Sequence, residues 1–339
     1  MTNNLGTNSA KQKVGVIGSG AWGTALAAVA ATSGNETTLW SRNSQVVTDI
    51  NNKHENKLYL KGAVLNPIIQ ATTEIDDLSY CNVILLVVPS QHLRSVLEMN
   101  RSKIQDGVPL VLCSKGVEIS SGLLMTEMLA EIMPNNPIAV LSGPTFAIEV
   151  AKELPTAVTL ACSNEHLGQQ LAQTLGSRSF RIYHSTDPIG AEIGGAVKNV
   201  IAIACGIVEG RNLGDNARAA LITRGLSEIV KLGLAKGGRR ETMMGLAGMG
   251  DLTLTCTATQ SRNYALGKAL GEGIAIDDYL KGRITVAEGL SSSKSVSTLA
   301  KDLKIDMPIC NAICEVLHHK ANIDHTIANL LARPQKAEF

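Results

Sequence analysis

Through the first half of the chain, short apolar runs rich in β-branched residues alternate with longer helical stretches. Residues 13–17 read as a strand, the alanine-rich residues 22–33 as a helix, and 37–40 as a second strand. Val83-Ile84-Leu85-Leu86-Val87-Val88 is an unbroken aliphatic run closed by Pro89. Such a run marks a central parallel strand covered on both faces. Residues 110–113 and 138–141 repeat the pattern. Alternating strands and helices predict right-handed βαβ units, hence an α/β domain with a doubly wound parallel sheet of the Rossmann type. After Pro188 strand patterns nearly vanish, and residues 189–208, 216–234, 263–271, 291–303 and 311–317 read as helices. The expected organisation is a Rossmann domain over 13–188 and an all-helical C-terminal domain over 189–335, with a frayed polar end at 333–339.

Ligands of doubly wound sheets sit beyond the carboxyl ends of the strands. That rule marks Gly18, Pro89, Ser114-Lys115-Gly116 and Ser142-Gly143-Pro144. The first opens Gly18-Ser19-Gly20-Ala21-Trp22-Gly23, which fits the G-x-G-x-x-G spacing. There the first glycine allows a tight turn, the second admits a pyrophosphate, and the third lets helix pack on strand. The helix start then presents free N–H groups to the phosphates. A glycine-rich turn without a ligand is the plain alternative, but a strand before and a helix after favour a dinucleotide. NAD-selective folds carry an acid about 20 residues on, against the ribose 2′-hydroxyl. Here that place reads Ser41-Arg42-Asn43. Arg42 can pair with a 2′-phosphate or stack on adenine, so NADP or NAD is the expected cofactor. An ordinary surface arginine is the other reading.

Further chemistry lies in the second half. Lys198 interrupts the apolar, glycine-rich Gly194-Gly195-Ala196-Val197-Lys198-Asn199-Val200. Hydride transfer to a ketone also needs a proton donor, and a lysine serves when burial or a second cation brings its pKa toward neutrality. Lys115, just past a buried strand, is the candidate second cation. A snorkelling lysine at a helix edge is the bland reading of Lys198. Asp251 and Thr255 follow the glycine-rich segment 245–250, and on a helix they share a face. They can orient a substrate hydroxyl or the lysine; Asp251 can equally be an N-cap. Ser261-Arg262-Asn263 precedes a helix and suits a phosphate, or is simply a capped helix start.

Composition narrows the function classes. A chain of 339 residues exceeds the usual single core, which agrees with two domains. A net charge of +1 leaves no basic surplus for nucleic acid or anionic membranes, and only 3% aromatics makes base-stacking platforms unexpected. The apolar runs at 83–88 and 200–208 fall short of the ~20 residues that span a bilayer, and residues 1–10 lack a signal-peptide core. The seven cysteines have no zinc-ligand spacing and read as reduced thiols, so no metal is expected and the location is cytoplasmic.

With these segments in view, the chain strongly resembles the soluble bacterial NAD(P)-dependent glycerol-3-phosphate dehydrogenases. The segments that carry the likeness are SGPTFAIEVA, GGAVKNVIAIA, NARAALITRGLSE and GMGDLTLTCTATQSRN, in that order, and it extends from GSGAWGTALA to Met307-Pro308-Ile309. The resemblance implies reversible reduction of dihydroxyacetone phosphate to sn-glycerol 3-phosphate, feeding phospholipid synthesis. It implies Lys198 as general acid/base, with Lys115, Asp251 and Thr255 in the catalytic set. It implies Gly143, Thr145, Ser261, Arg262 and Asn263, with Lys115, Lys198 and Asp251, as substrate contacts. Gly18, Gly20, Ala21, Trp22, Gly23, Arg42, Lys115, Ala147, Arg262, Val286 and Glu288 would contact the cofactor. The expected partners are a small phosphorylated substrate and a second copy in a homodimer, without nucleic acid or membrane insertion. Two rivals stand beside this reading. A β-hydroxyacid-type reductase would lack the Gln260-Ser261-Arg262-Asn263 grip, and a non-catalytic NADP sensor would not need Lys198, Lys115 and Asp251 together.

Overall fold

The computed structural model describes residues 11–283, 287–335 and 337. Its first part alternates β1 (Lys13–Ile17), α1 (Ala21–Thr32), β2 (Glu36–Trp40), α2 (Ser44–Lys53), β3 (Ile69–Thr72), β4 (Val83–Leu86) and α3 (Ser90–Asn100). There follow β5 (Leu110–Leu112), α4 (Met125–Ile132), β6 (Ile138–Ser142), α5 (Ala147–Ala151), β7 (Thr156–Cys162), α6 (Glu165–Leu175) and β8 (Phe180–Ser185). The strands form one eight-stranded sheet in the order β3-β2-β1-β4-β5-β6-β7-β8. Every residue of β4 and β5 is buried, because helices cover both faces. The order reverses between β1 and β4, and the first glycine turn lies at that switch point.

The expected parallel sheet holds from β3 through β6. The pairing of β6 with β7 is antiparallel, while β7 and β8 are parallel to each other. The last two strands therefore run against the rest. The aliphatic run expected over 83–88 leaves the strand after Leu86, since Val87 and Val88 lead into Pro89, the N-cap of α3.

The helical part begins with α7 (Pro188–Gly210) and α8 (Gly214–Ala235). It continues through α9 (Arg240–Met244), a π-turn at Leu246–Gly250, α10 (Asp251–Thr257), α11 (Arg262–Gly271) and α12 (Ile276–Leu280). It ends with α13 (Glu288–Asp302), α14 (Pro308–His318) and α15 (Ile323–Leu331). Asp187 caps α7 by accepting from Gly190 N at 2.9 Å and also accepts from Arg239 N at 2.8 Å, with Pro188 at the first helical position.

By length and composition α7 could cross a membrane, which the two short apolar runs did not suggest; it is instead wholly buried as the central rod of the helical part. Glycines let α11 press onto it: a Cβ on Gly271 would stand 2.7 Å from Ile207 O. Glu192 of α7 joins the two parts. Its carboxylate accepts from Thr126 N at 3.1 Å and Thr126 Oγ1 at 2.5 Å at the start of α4. Burial pushes that carboxyl up to about 7.

Candidate active site

The glycine turn has the shape a pyrophosphate needs. Gly18 has φ +115°, and a Cβ there would lie 2.8 Å from Val87 O. A Cβ on Gly23 would collide with Gly18 O, so only glycine lets α1 sit on β1. Gly20 differs: nothing lies within 4 Å of its missing Cβ. It is also the N-cap of α1 without a side-chain cap, so the helix start keeps its N–H groups and positive dipole end for an anion. Ala21 and Trp22 occupy the first turn of α1, and Ala147 opens α5, which packs against α1.

Buried polar residues hold this turn. Asn56 Nδ2 donates to Ser19 O at 2.9 Å and Thr24 Oγ1 at 2.8 Å, and the Ser19 and Ser41 hydroxyls are 2.6 Å apart. Arg42 is exposed at the end of β2 and makes no hydrogen bond or ion pair among the described residues. Val286 lies outside the described residues, and Glu288 begins α13.

The second constellation gathers side chains from distant parts of the chain around one carboxylate. Asp251 is fully buried. Its Oδ1 accepts from Lys198 Nζ at 2.6 Å and its Oδ2 from Lys115 Nζ at 2.6 Å. Lys198 Nζ also donates to Thr255 Oγ1 at 2.9 Å, and that hydroxyl donates back to Asp251 O at 2.6 Å. The four-residue spacing of Asp251 and Thr255 thus places both on one face of α10, as expected. Lys198 is 7% exposed, which decides against a snorkelling surface lysine. Burial, reinforced by the Lys115 charge, lowers its pKa to about 8, while Asp251 and Glu288 act in the opposite direction.

The Lys115 loop is itself pinned. Gln91 donates to Val117 O at 2.9 Å and accepts from Ile119 N at 3.0 Å. Lys115 Nζ lies 3.4 Å from Gly143 O, and Thr145 Oγ1 donates to the same carbonyl at 3.3 Å.

Ser261 is the N-cap of α11, its Oγ accepting from Tyr264 N at 3.3 Å, and Arg262 is exposed on the first turn. Asn263 is buried in a network that ties three helices. Its Nδ2 donates to Asn199 Oδ1 at 2.8 Å, and its Oδ1 accepts from Gly289 N at 2.9 Å. Direct hydrogen bonds therefore unite Lys198, Lys115, Asp251, Thr255, Gly143 and Thr145 in one cluster. Arg42 stands apart from this cluster, exposed just past the end of β2. Asn56, Thr24, Gln91 and Asn199 were not singled out from sequence. Only Asn199 had a local signal, as the polar neighbour of Lys198 in an apolar helix.

Comparison with known proteins adds a consistent result. Family models described as the N-terminus and C-terminus of NAD-dependent glycerol-3-phosphate dehydrogenase match residues 13–168 and 187–328. A glycerol-3-phosphate dehydrogenase (NAD(P)+) of Parvibaculum lavamentivorans is 51% identical over 329 residues, covering 97% of this chain and 99% of the relative. One from Maricaulis maris is 53% identical, covering 95% and 97%. A crystal structure of glycerol-3-phosphate dehydrogenase from Coxiella burnetii superposes with a TM-score of 0.91 at 39% identity, covering 95% of this chain and 99% of that one. A ketopantoate reductase from Ralstonia eutropha shares the fold alone, with a TM-score of 0.58 at 13% identity.

Proposed function

The chain belongs to the NAD-dependent glycerol-3-phosphate dehydrogenase family, and from that premise we propose that the Lys198–Asp251–Lys115 cluster performs its chemistry. The reaction is the reversible NAD(P)H-dependent reduction of dihydroxyacetone phosphate to sn-glycerol 3-phosphate, which supplies glycerophospholipid synthesis. The observation that carries the site assignment is the placement of two lysine ammoniums on the two oxygens of one buried carboxylate.

The bound dinucleotide supplies the hydride that reduces the carbonyl carbon. Protonated Lys198 donates its proton to the carbonyl oxygen, which becomes the new hydroxyl, and neutral Lys198 takes that proton back in the oxidative direction. Asp251 and Thr255 hold Nζ in place, fixing the donor's direction. Lys115, from the sheet side, keeps a positive charge beside the developing oxyanion and lowers the affinity of Lys198 for its proton. Gly143 and Thr145 lie beside the same cluster, with the Gly143 carbonyl facing Lys115. Arg262 and the capped start of α11 hold the substrate phosphate, and that remote grip orients the carbonyl. The turn at Gly18, Gly20 and Gly23, with Ala21, Trp22 and Ala147, would hold the dinucleotide phosphates, and Glu288 would contact the dinucleotide from the helical side.

The discriminating assay follows nicotinamide absorbance with dihydroxyacetone phosphate, with an acidic keto substrate, and with neither. Turnover only with the first is expected; turnover with the keto acid instead would point to the other reductase class.

Two variants test the binding groups. Arg262→Ala raises the KM for dihydroxyacetone phosphate strongly and lowers kcat, because loss of the anchor also loosens the carbonyl. Unphosphorylated dihydroxyacetone, already a poor substrate, should suffer little further. An equal loss on both substrates would remove Arg262 from the phosphate grip. The second variant concerns cofactor choice. With no acid at the end of β2 to repel a 2′-phosphate, NADPH is used at least as well as NADH. Arg42→Ala then weakens NADPH selectively, by about tenfold or more, since a charge-assisted hydrogen bond contributes roughly 1.5–3 kcal/mol. Titrating both cofactors by fluorescence quenching checks this, and equal weakening would mean that Arg42 only stacks on adenine.

A cytoplasmic homodimer completes the reading. Seven free thiols suit a reducing compartment. A groove of about 780 Å³ lined by α7, α8, α14 and α15, with Leu213 and Leu331 exposed beside it, suits a contact with a second copy.

A further inference from the structure

Gly194 and Gly195 share α7 with the proposed proton donor, but their surroundings differ. A Cβ on Gly194 would lie 2.5 Å from Ala247 O, so that glycine lets α7 abut the π-turn before α10. At Gly195 the three atoms nearest to the missing Cβ all belong to side chains. A Cβ there would stand 3.2 Å from both Lys115 Cγ and Cδ, and 3.1 Å from Ser142 Oγ. The aliphatic stem of Lys115 therefore crosses the bare surface of α7 at Gly195 on its way from the β5 loop to Asp251. The helix residue it crosses lies one turn before Lys198, so the two lysines, one from the β5 loop and one from α7, meet the carboxylate beside the same stretch of α7. Ser142 borders the crossing on its other side. Its hydroxyl is buried and has no hydrogen-bond partner among the described residues, so it walls the channel without contributing a bond.

From this packing we infer that Gly195 is a positioning residue: the absence of its side chain opens the path by which Lys115 reaches Asp251 beside Lys198. The inference rests on the assignment of Lys115 and Lys198 to the reaction. A methyl group at 195 lies closer to the stem than ordinary van der Waals contact, so either the stem or its neighbours must shift by a few tenths of an ångström. The rigid side of the crossing is α7 itself, buried from Gly190 to Val208. The movable side is Lys115, whose stem is flexible and whose side chain is partly exposed. The displacement therefore falls on the lysine and lengthens its contact with Asp251.

The consequence also reaches Lys198. The groups that act on its charge are Asp251 from α10, Lys115 from the β5 loop and Glu288 from α13, while the Cys256 thiol that also faces it from α10 is pushed up by burial. Of these only Lys115 touches the crossing. When it retreats, a repelling positive charge leaves, and Lys198 holds its proton to higher pH.

The test is a double-mutant cycle on the full-length enzyme. G195A, K115A and G195A/K115A are compared with wild type in kcat and KM for dihydroxyacetone phosphate, with NADPH affinity measured in parallel. G195A is expected to lose about tenfold or more in kcat/KM and to move the alkaline limb of its kcat profile to higher pH. In the K115A background, where no stem remains to be displaced, the same glycine change should cost less than about twofold. Measured against S142A, the added G195A change should cost less than it does against wild type, because the stem can settle into the space the hydroxyl leaves. If G195A lost the fold, G195A/K115A should recover it for the same reason. Additive losses in the cycle, or wild-type kinetics in G195A, would overturn the positioning role. Wild-type activity in K115A would instead overturn the assignment of Lys115 itself, so the two failures are separable.

Discussion

Replacing Lys198 with alanine lowers kcat for dihydroxyacetone phosphate reduction by about 10²–10⁴-fold, the usual contribution of a positioned general acid. The affinity for NADPH stays close to that of the wild type. The two outcomes separate because the groups involved sit on different elements. The proposed phosphate cradle is the turn between β1 and α1, whereas Lys198 lies on α7 and its amine bonds, among the described residues, to Asp251 and Thr255. Steady-state oxidation of NADPH measures the first effect and a fluorescence titration the second. Turnover near that of the wild type would remove Lys198 from the chemistry. A parallel loss of cofactor affinity would mean that the variant disturbs the packing between the Rossmann and helical parts.

Asp251→Asn should be damaging in a different way. The amide keeps the shape of the side chain and removes its charge. Two ammoniums that now rest at 2.6 Å on one carboxylate would face each other with no anion between them. Removing one partner of a buried ion pair typically costs ~3–5 kcal/mol, and Asp251 is wholly enclosed. Part of that cost can be relieved if Lys198 gives up its proton. The variant should therefore melt at a lower temperature and lose at least about 10²-fold in kcat at neutral pH, because the donor no longer carries the proton. Calorimetry and kinetics on the same preparation check both. An unchanged melting temperature would show that the carboxylate does not hold the two lysines in solution.

These effects were only partly legible in the sequence. The first β-α-β unit was, because its residues satisfy local rules: a strand covered on both faces, a glycine at each required place, a helix start without a capping side chain. The two lysines and Asp251 were visible as charges in apolar or glycine-rich surroundings, which burial makes costly unless they are paired. Their convergence was not visible. Lys115 and Asp251 are 136 residues apart, and nothing local sets that contact. The strands β3, β7 and β8 were not read from the sequence at all, and the reversed direction of β7 and β8 had no signal there, since a strand's residue pattern reports burial and not orientation. Asn56 illustrates the remaining gap. It lies in a polar stretch, and only the folded chain brings its amide under the cofactor turn. Asn263 appeared in the sequence as part of a phosphate grip, and in the structure its amide also braces α7 against α11 and α13.

Lys198 is the group proposed to give and take the proton. The most direct test is the pH dependence of kcat in both directions, for wild type and for Lys198→Ala. Reduction needs the protonated amine, so its kcat should be high at neutral pH and fall as pH rises through about 8. Oxidation of sn-glycerol 3-phosphate needs the neutral amine, so its kcat should rise through the same value. Both limbs should be absent from the residual activity of the alanine variant. Mirror-image limbs in the wild type and flat profiles in the variant are the predicted result; a limb near pH 8 that persists without Lys198 would contradict it.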